Sequence, residues 1–101
     1  MALVKVAPLA QFAPGEVVEA IHADARYAIC NVDGELFAVN GTCPHRGGPL
    51  AQGALHGPII VCPWHAWEFD CRTGKHDYNP SIRLDTIPVR TSDGDVYLDL
   101  P

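Results

Sequence analysis

The stretch that decides the fold is residues 41–81, GTCPHRGGPLAQGALHGPIIVCPWHAWEFDCRTGKHDYNPS. It contains two short motifs, Cys43-Pro-His45 and, after sixteen intervening residues, Cys62-Pro-Trp-His65. Two thiols and two imidazoles in tight Pro/Gly loops are soft ligands that suit either zinc or an iron–sulfur cluster. Only one residue separates Cys43 from His45, whereas paired ligands of structural zinc sites are usually about two to four residues apart. This spacing favours ligands that address two different metals.

On both sides of this stretch, short β-rich runs alternate with turn residues, and no segment keeps a helical period. The sequence therefore predicts an all-β fold. The predicted strands are Leu3–Ala7, Glu16–Ile21, Tyr27–Val32, Glu35–Val39, Ile59–Cys62, Trp67–Asp70, Leu84–Arg90 and Val96–Leu100. Asp33-Gly34 predicts a type I′ hairpin, because both residue types tolerate positive φ. Pro88 confines its strand to a sheet edge.

The chain of 101 residues is expected to be one domain, too small to combine a cofactor domain with a substrate domain. Residues 1–40 and 82–101 are predicted to form a β-sandwich scaffold. Residues 41–81, dense in glycine and proline, are predicted to form an inserted subdomain built from loops. The ligand motifs all fall in this inserted part.

Charge and composition narrow the function classes. Twelve acidic against seven basic residues give a net charge of −5, which argues against a nucleic-acid partner and suits a basic protein partner. No apolar run reaches the roughly 18 residues of a membrane helix, so no membrane association is expected. Since the N-terminal residues lack the pattern of a signal peptide, the expectation is a cytoplasmic protein whose cysteines are ligands or reduced thiols.

The four ligand candidates match in full the C-x-H…C-x₂-H pattern of the Rieske family, which the chain resembles over its whole length. The specific motifs lie only between residues 41 and 81. The resemblance implies a Rieske-like antiparallel β-sandwich and one [2Fe–2S] cluster per chain. It also implies that Cys43 and Cys62 hold the inner iron, while His45 and His65 hold the outer iron and face solvent.

Residues 46–50 and 65–70, together with Thr73-Gly74, are similar to the low-potential Rieske ferredoxins and oxygenase domains. Replacing two thiolates by neutral imidazoles raises the potential from about −400 mV into a band of about −150 to +300 mV. High-potential relatives carry a disulfide at the positions of Gly48 and Trp64, and hydroxyl donors at those of Trp67 and Phe69. The residues present here therefore predict a potential low in that band.

Other residues near the motifs have two interpretations each. Arg46 could stabilise the reduced cluster or meet an acidic partner group, and the alternative is a solvated surface charge. Pro80 resembles the family's third loop, which covers the cluster, but an ordinary turn is the alternative. Trp64 and Trp67 are expected to shield the cluster loop and fill the core beneath it rather than to conduct electrons.

The remaining cysteines and histidines receive no functional assignment. Cys30 is expected to be a small buried hydrophobe, and Cys71 a bystander thiol that is oxidisable if exposed. His22, His56 and His76 lie beside turn-like residues and are expected in solvent. Tuning of the cluster by His56 or His76 stays an open alternative.

The resemblance implies an electron carrier, not an enzyme: a Rieske ferredoxin that takes electrons from an NAD(P)H-dependent flavoprotein reductase. The recipient would be the terminal oxygenase of a ring-hydroxylating dioxygenase. Two alternatives are the small Rieske-like subunit of a nitrite reductase or other oxidoreductase, and a zinc-bound interaction module. The intact ligand set favours the carrier.

Overall fold

The computed structural model describes residues 2–43, 47–64, 67–76, 79 and 81–100. Within these ranges the regular secondary structure is almost entirely strand, with short 3₁₀ turns at Leu9–Gln11 and Leu50–Gln52. The strands are β1 (Ala2–Pro8), β2 (Val17–His22), β3 (Ala25–Val32), β4 (Glu35–Asn40), β5 (Ala54–His56), β6 (Ile59–Val61), β7 (Glu68–Asp70), β8 (Thr86–Ile87), β9 (Val89–Ser92) and β10 (Asp95–Leu100). No helix in these ranges has the length and apolarity needed to cross a membrane.

Two of the sheets are antiparallel and pack against each other, and the all-β fold agrees with the sequence prediction. One has the order β2-β3-β4-β8 and the other the order β1-β10-β9. Alternate residues of β10 point inward, and Val96, Leu98 and Leu100 are buried. The core cluster shared by the two sheets comprises Phe12, Ala20, Ile29, Ala38, Val96, Leu98 and Leu100.

The central strands β3 and β4 are covered on both faces. Ile29 and its cross-strand partner Ala38 belong to the core of the sandwich. Ala28, its partner Val39 and Cys30 point to the opposite face and belong to a second core cluster. That second cluster also contains Cys43, Cys62 and other residues of the 41–81 segment, so this segment packs on the outer face of the sheet.

The 41–81 segment contains a small third sheet of order β5-β6-β7. Strands β6 and β7 match two predicted strands but are each one residue shorter. The sequence did not predict β5, because Ala54–His56 has no β-branched residue and is recruited by pairing with β6 across a turn at Gly57. The division into scaffold and inserted subdomain stays a prediction.

The predicted strand Leu84–Arg90 is wrong as a single element. The chain forms β8 and then β9, and Pro88 separates them. Strand β8 is the edge of one sheet and β9 the edge of the other, so the chain changes sheets at this residue. Proline has no N–H to donate to a ladder, which makes it suitable for this crossing and confirms the predicted edge position.

The predicted hairpin at Asp33-Gly34 is confirmed. Both residues have positive φ, 53° and 93°, and Val32 pairs with Glu35 across the two-residue turn. A similar turn between β2 and β3 uses Ala23 and Asp24 at positive φ.

Candidate metal centre

The first motif loop follows β4 and folds back on itself. The Cys43 N–H donates to the Gly48 carbonyl at 2.9 Å, and the Gly47 N–H donates to the Cys43 carbonyl at 2.7 Å. Gly47 has a φ of 73°, a conformation that L side chains adopt only with strain. The Leu50 N–H donates to the Gly41 carbonyl at 3.0 Å and closes the base of the loop. These bonds hold the Cys43 side chain at the bottom of the loop.

The second motif loop connects β6 and β7. The Cys62 N–H donates to the Trp67 carbonyl at 2.8 Å, which closes the loop as an extension of the β6–β7 pairing. Within the loop, the Trp64 N–H donates to Cys62 Sγ over 3.4 Å. A backbone donor aimed at sulfur stabilises the thiolate form, which is the form that binds metals.

The two cysteine side chains of the motifs meet in the interior. Cys43 and Cys62 are each 1% exposed, and the Cys43 thiol is close enough to Cys62 to affect its pKa. Burial raises the pKa of Cys62, the Trp64 N–H opposes this, and the adjacent Cys43 thiol raises the pKa further. Two thiolates can share this site only if a cation compensates their charge, so the pair has the chemistry of a metal-ligand set. The donor set thus fits the cysteine half of a Rieske centre.

Gly48 is where the two loops touch. A Cβ atom built on Gly48 would lie 2.7 Å from Cys62 Sγ and 3.2 Å from Cγ of Trp64. Any side chain at position 48 therefore displaces the sulfur or the Trp64 ring. The contact also shows that positions 48 and 64 adjoin, as the comparison with disulfide-bearing relatives implied.

The two tryptophans have different surroundings. Trp67 is half-buried and packs against the second core cluster, as predicted. Trp64 is 49% exposed, so the expectation that it fills the core is wrong. Its ring lies beside Gly48, and about half of the residue's surface is open to solvent.

Four predicted site residues, His45, Arg46, His65 and Pro80, lie outside the described residues. Among the residues that are described, no group of three or more His, Cys, Asp or Glu side chains is placed to hold a metal ion. The assignment of the two histidines as ligands therefore rests on the sequence pattern.

His76 is not in solvent, contrary to the expectation. It is 9% exposed, and its ring meets Trp67 edge-on at a centroid distance of 4.6 Å and Phe69 at 5.4 Å. Its Nδ1 accepts a hydrogen bond from the Asn79 N–H at 3.2 Å. An isolated β-bridge pairs His76 with Phe69 and holds His76 against the interior. The residues next to His76 in the sequence do not predict this pairing. His22 and His56 are exposed, as predicted.

The two other cysteines lie together. Cys30 is buried, as predicted, and Cys71, whose exposure the sequence left open, is also buried at 1% exposure. The two Sγ atoms are 2.7 Å apart. Because the two cysteines are 41 residues apart in the sequence, no local sequence pattern predicts this contact.

Comparison with known proteins identifies a family with this kind of metal centre. A family model described as the Rieske [2Fe-2S] domain matches residues 2–88. The ferredoxin component of biphenyl 2,3-dioxygenase from Rhodococcus jostii is 36% identical over 101 residues, covering 99% of this chain and 94% of that protein. The chain belongs to the Rieske [2Fe-2S] domain family.

Solved structures agree. The Sphingomonas yanoikuyae ferredoxin superposes with a TM-score of 0.90 at 34% identity and covers 99% of this chain and 100% of that one. A chain of the carbazole 1,9a-dioxygenase complex of reduced oxygenase and oxidised ferredoxin has a TM-score of 0.88 at 28% identity, covering 95% and 91% of the two chains. The protein is a Rieske-type ferredoxin, an electron carrier rather than an enzyme, and its cofactor is a [2Fe–2S] cluster.

Proposed function

We propose that this ferredoxin carries single electrons from an NAD(P)H-dependent flavoprotein reductase to the terminal oxygenase of a ring-hydroxylating dioxygenase system. The observation that carries the proposal is the buried pair of Cys43 and Cys62 on two adjoining loops. Support for the recipient comes from the biphenyl dioxygenase relative and from the carbazole dioxygenase complex of ferredoxin with oxygenase. The reductase is proposed because an electron carrier needs a donor.

The proposed cluster ligands are Cys43, His45, Cys62 and His65. These four side chains would hold the cluster, which would supply reversible one-electron transfer. The cysteines enter the set because their sulfurs adjoin in the interior, and the histidines enter it because each follows a cysteine in the C-x-H and C-x₂-H motifs.

The protein groups around Cys62 set how easily negative charge is held there. One backbone N–H, from Trp64, donates to its sulfur over a long distance of 3.4 Å. Trp67 and Phe69 flank the second loop without a hydroxyl group. Because the described residues supply few strong donors to this sulfur, we expect a potential near the lower end of the Rieske band, at about −150 mV.

A docking surface for the partners is proposed around the second motif loop. Trp64 is 49% exposed and Pro63 is exposed beside it. Exposed aromatic residues are frequent anchors of protein interfaces. The net charge of −5 would steer the ferredoxin toward basic partner surfaces. We place the protein in the cytoplasm, where reduced nicotinamide supplies the electrons.

The ligand assignment is tested by replacing ligands and matched non-ligands. Cys43→Ser and His65→Gln should lose most iron and acid-labile sulfide, because each removes one attachment of the cluster. The controls Cys71→Ala and His56→Ala remove the same atom types elsewhere and should keep the wild-type content. Wild-type iron in His65→Gln, or zinc without iron in the wild-type protein, would refute the assignment.

The electron route is tested by reconstitution. Purified ferredoxin is combined with NADH, a flavoprotein reductase and a terminal oxygenase of the biphenyl dioxygenase type, and hydroxylated product is measured. We expect product only when the ferredoxin is present. If the reduced ferredoxin fails to support oxygenation but supports nitrite reduction with a nitrite reductase large subunit, the alternative assignment is correct.

A further inference from the structure

Cys30 and Cys71 form a second pair of cysteines outside the proposed ligand set. Cys30 lies in the middle of β3, in the scaffold, and Cys71 lies in the turn after β7. Their exposures are 0% and 1%. Their Sγ atoms are 2.7 Å apart and both thiols are free.

The distance between these sulfurs is shorter than a van der Waals contact and longer than a disulfide bond. Nonbonded heavy atoms pack at roughly 3.5–4.0 Å, so 2.7 Å is closer than ordinary packing. A disulfide bond is about 2.05 Å long, so joining these sulfurs requires a further approach of about 0.65 Å. Side-chain rotation supplies a movement of this size. The two sulfurs therefore lie within an ångström of the disulfide bond length.

The backbone around the pair is held in place. The Cys71 N–H donates to the Pro58 carbonyl at 2.8 Å, which ties the turn to the β5–β6 connection. Cys30 pairs with Val17 and Phe37 across the scaffold sheet. A bond between the two sulfurs would therefore join the central scaffold strand directly to the segment that carries Cys62.

We propose that Cys30 and Cys71 form a disulfide that fastens the cluster-binding segment to the scaffold under oxidising conditions. The oxidant is a small hydroperoxide. One sulfur attacks the peroxide oxygen, the O–O bond breaks, and the leaving fragment departs as water or an alcohol. The second sulfur then displaces the resulting S–OH oxygen as water. Two thiols and one hydroperoxide thus give one disulfide, one water and one further water or alcohol.

Both thiols are expected to react slowly with oxidants. The hydrogen bond with Cys71 and then burial raise the pKa of Cys30, and the protonated thiol is a poor nucleophile. Both sulfurs are nearly inaccessible, which excludes large oxidants. The disulfide is therefore expected to form slowly and, once formed, to resist bulky reducing agents. This inference is independent of the proposed ligands and partners.

The test treats the holoprotein with equimolar hydrogen peroxide, quenches in acid and alkylates free thiols under denaturing conditions. Trypsin alone leaves Cys30 and Cys71 on peptides shared with the ligand cysteines. Additional cleavage after Glu35 and Glu68 separates all four. We expect a peptide pair linking residues 27–35 to residues 69–72, with the alkyl label on the two ligand cysteines.

Either of two results would overturn the proposal. One is alkyl label on both Cys30 and Cys71 after peroxide treatment. The other is oxidation of either sulfur to a sulfinic acid without linkage. A linkage already present in the purified protein, and lost on reduction in denaturant, supports it.

A stability readout supplies a matched control. Closing a loop of this length should raise the unfolding temperature of the oxidised wild type by about 10 °C or more over the reduced form. Cys30→Ala and Cys71→Ala should show no such difference between oxidised and reduced samples. If these variants fold poorly, the peptide linkage in the wild type decides the question alone.

Discussion

Replacing Gly48 by alanine perturbs the proposed centre without touching a ligand. The added Cβ would lie 2.7 Å from Cys62 Sγ, against the 3.4 Å at which ordinary contact begins, so an atom must move by about 0.7 Å. The same Cβ would lie 3.2 Å from Trp64 Cγ, which limits movement in that direction. The Gly48 carbonyl also accepts the Cys43 N–H, so a shift of the backbone disturbs the first loop.

The size of the effect follows from the cost of overpacking, about 1–3 kcal/mol. If this strain is relieved when Cys62 leaves the iron, cluster loss in the presence of a chelator should accelerate about 5–150-fold. If it is borne by the fold, the unfolding temperature should fall by about 5–20 °C. Where the sulfur of Cys62 is the atom that moves, the absorption of the cluster should also change.

The assay measures iron per chain, visible absorption and circular dichroism, and the rate of bleaching with a chelator. Gly57→Ala is the control: that site has a φ of 59°, so the substitution strains the backbone, but nothing lies within 4 Å of the added Cβ. The control should lose some stability and keep the spectrum. Wild-type spectrum, chelation rate and unfolding temperature in Gly48→Ala would refute the proposed closeness of loop and sulfur.

Three further predictions concern charge, docking and pH. Arg72 holds the pKa of Asp70 below its usual range through hydrogen bonds to the Asp70 carboxylate. The pair therefore stabilises the fold at pH values above the unfolded-state pKa of about 3.9. This stabilisation is lost as the pH falls through the lower pKa of the folded state. Asp70→Asn should therefore be less stable to urea than wild type at pH 7, with the gap narrowing below about pH 4; a gap independent of pH would contradict this. Trp64→Ala should slow electron transfer to the oxygenase about tenfold at limiting ferredoxin concentration and leave the cluster content unchanged, whereas Trp64→Phe should keep most of the rate. Unchanged electron-transfer kinetics in both variants would show that Trp64 is not part of the interface. Voltammetry should show a flat potential near neutrality that falls at alkaline pH as His45 or His65 loses a proton; a potential without slope at strongly alkaline pH would argue against exposed histidine ligands.

The parts of the fold that were predictable from sequence are those with local causes. Asp33-Gly34 dictates its own turn, because both residues accept positive φ. Pro88 cannot donate to a ladder and so marks an edge, although its role in crossing between sheets depends on the partners of β8 and β9. The motif of Cys43 and Cys62 identifies the family because the ligand spacing is part of the chemistry.

The parts that were missed depend on contacts between distant segments. Strand β5 exists because β6 pairs with it, although its own residues have no strong strand preference. His76 is buried by Trp67 and Phe69, which lie seven and more residues away. The approach of Cys30 to Cys71 requires the third sheet to be folded onto β3. Burial of this kind is decided by tertiary packing, which a single sequence does not display.

The most direct test of a cluster held by two cysteines and two histidines is electron paramagnetic resonance of the reduced protein, with nitrogen couplings measured after ¹⁵N labelling of histidine. The reduced protein should show a low average g value and strong couplings to the nitrogens of two histidines, and both should be lost in His65→Gln in step with iron. A spectrum of an all-cysteine [2Fe–2S] cluster without histidine coupling, or a colourless protein that contains zinc, would contradict it.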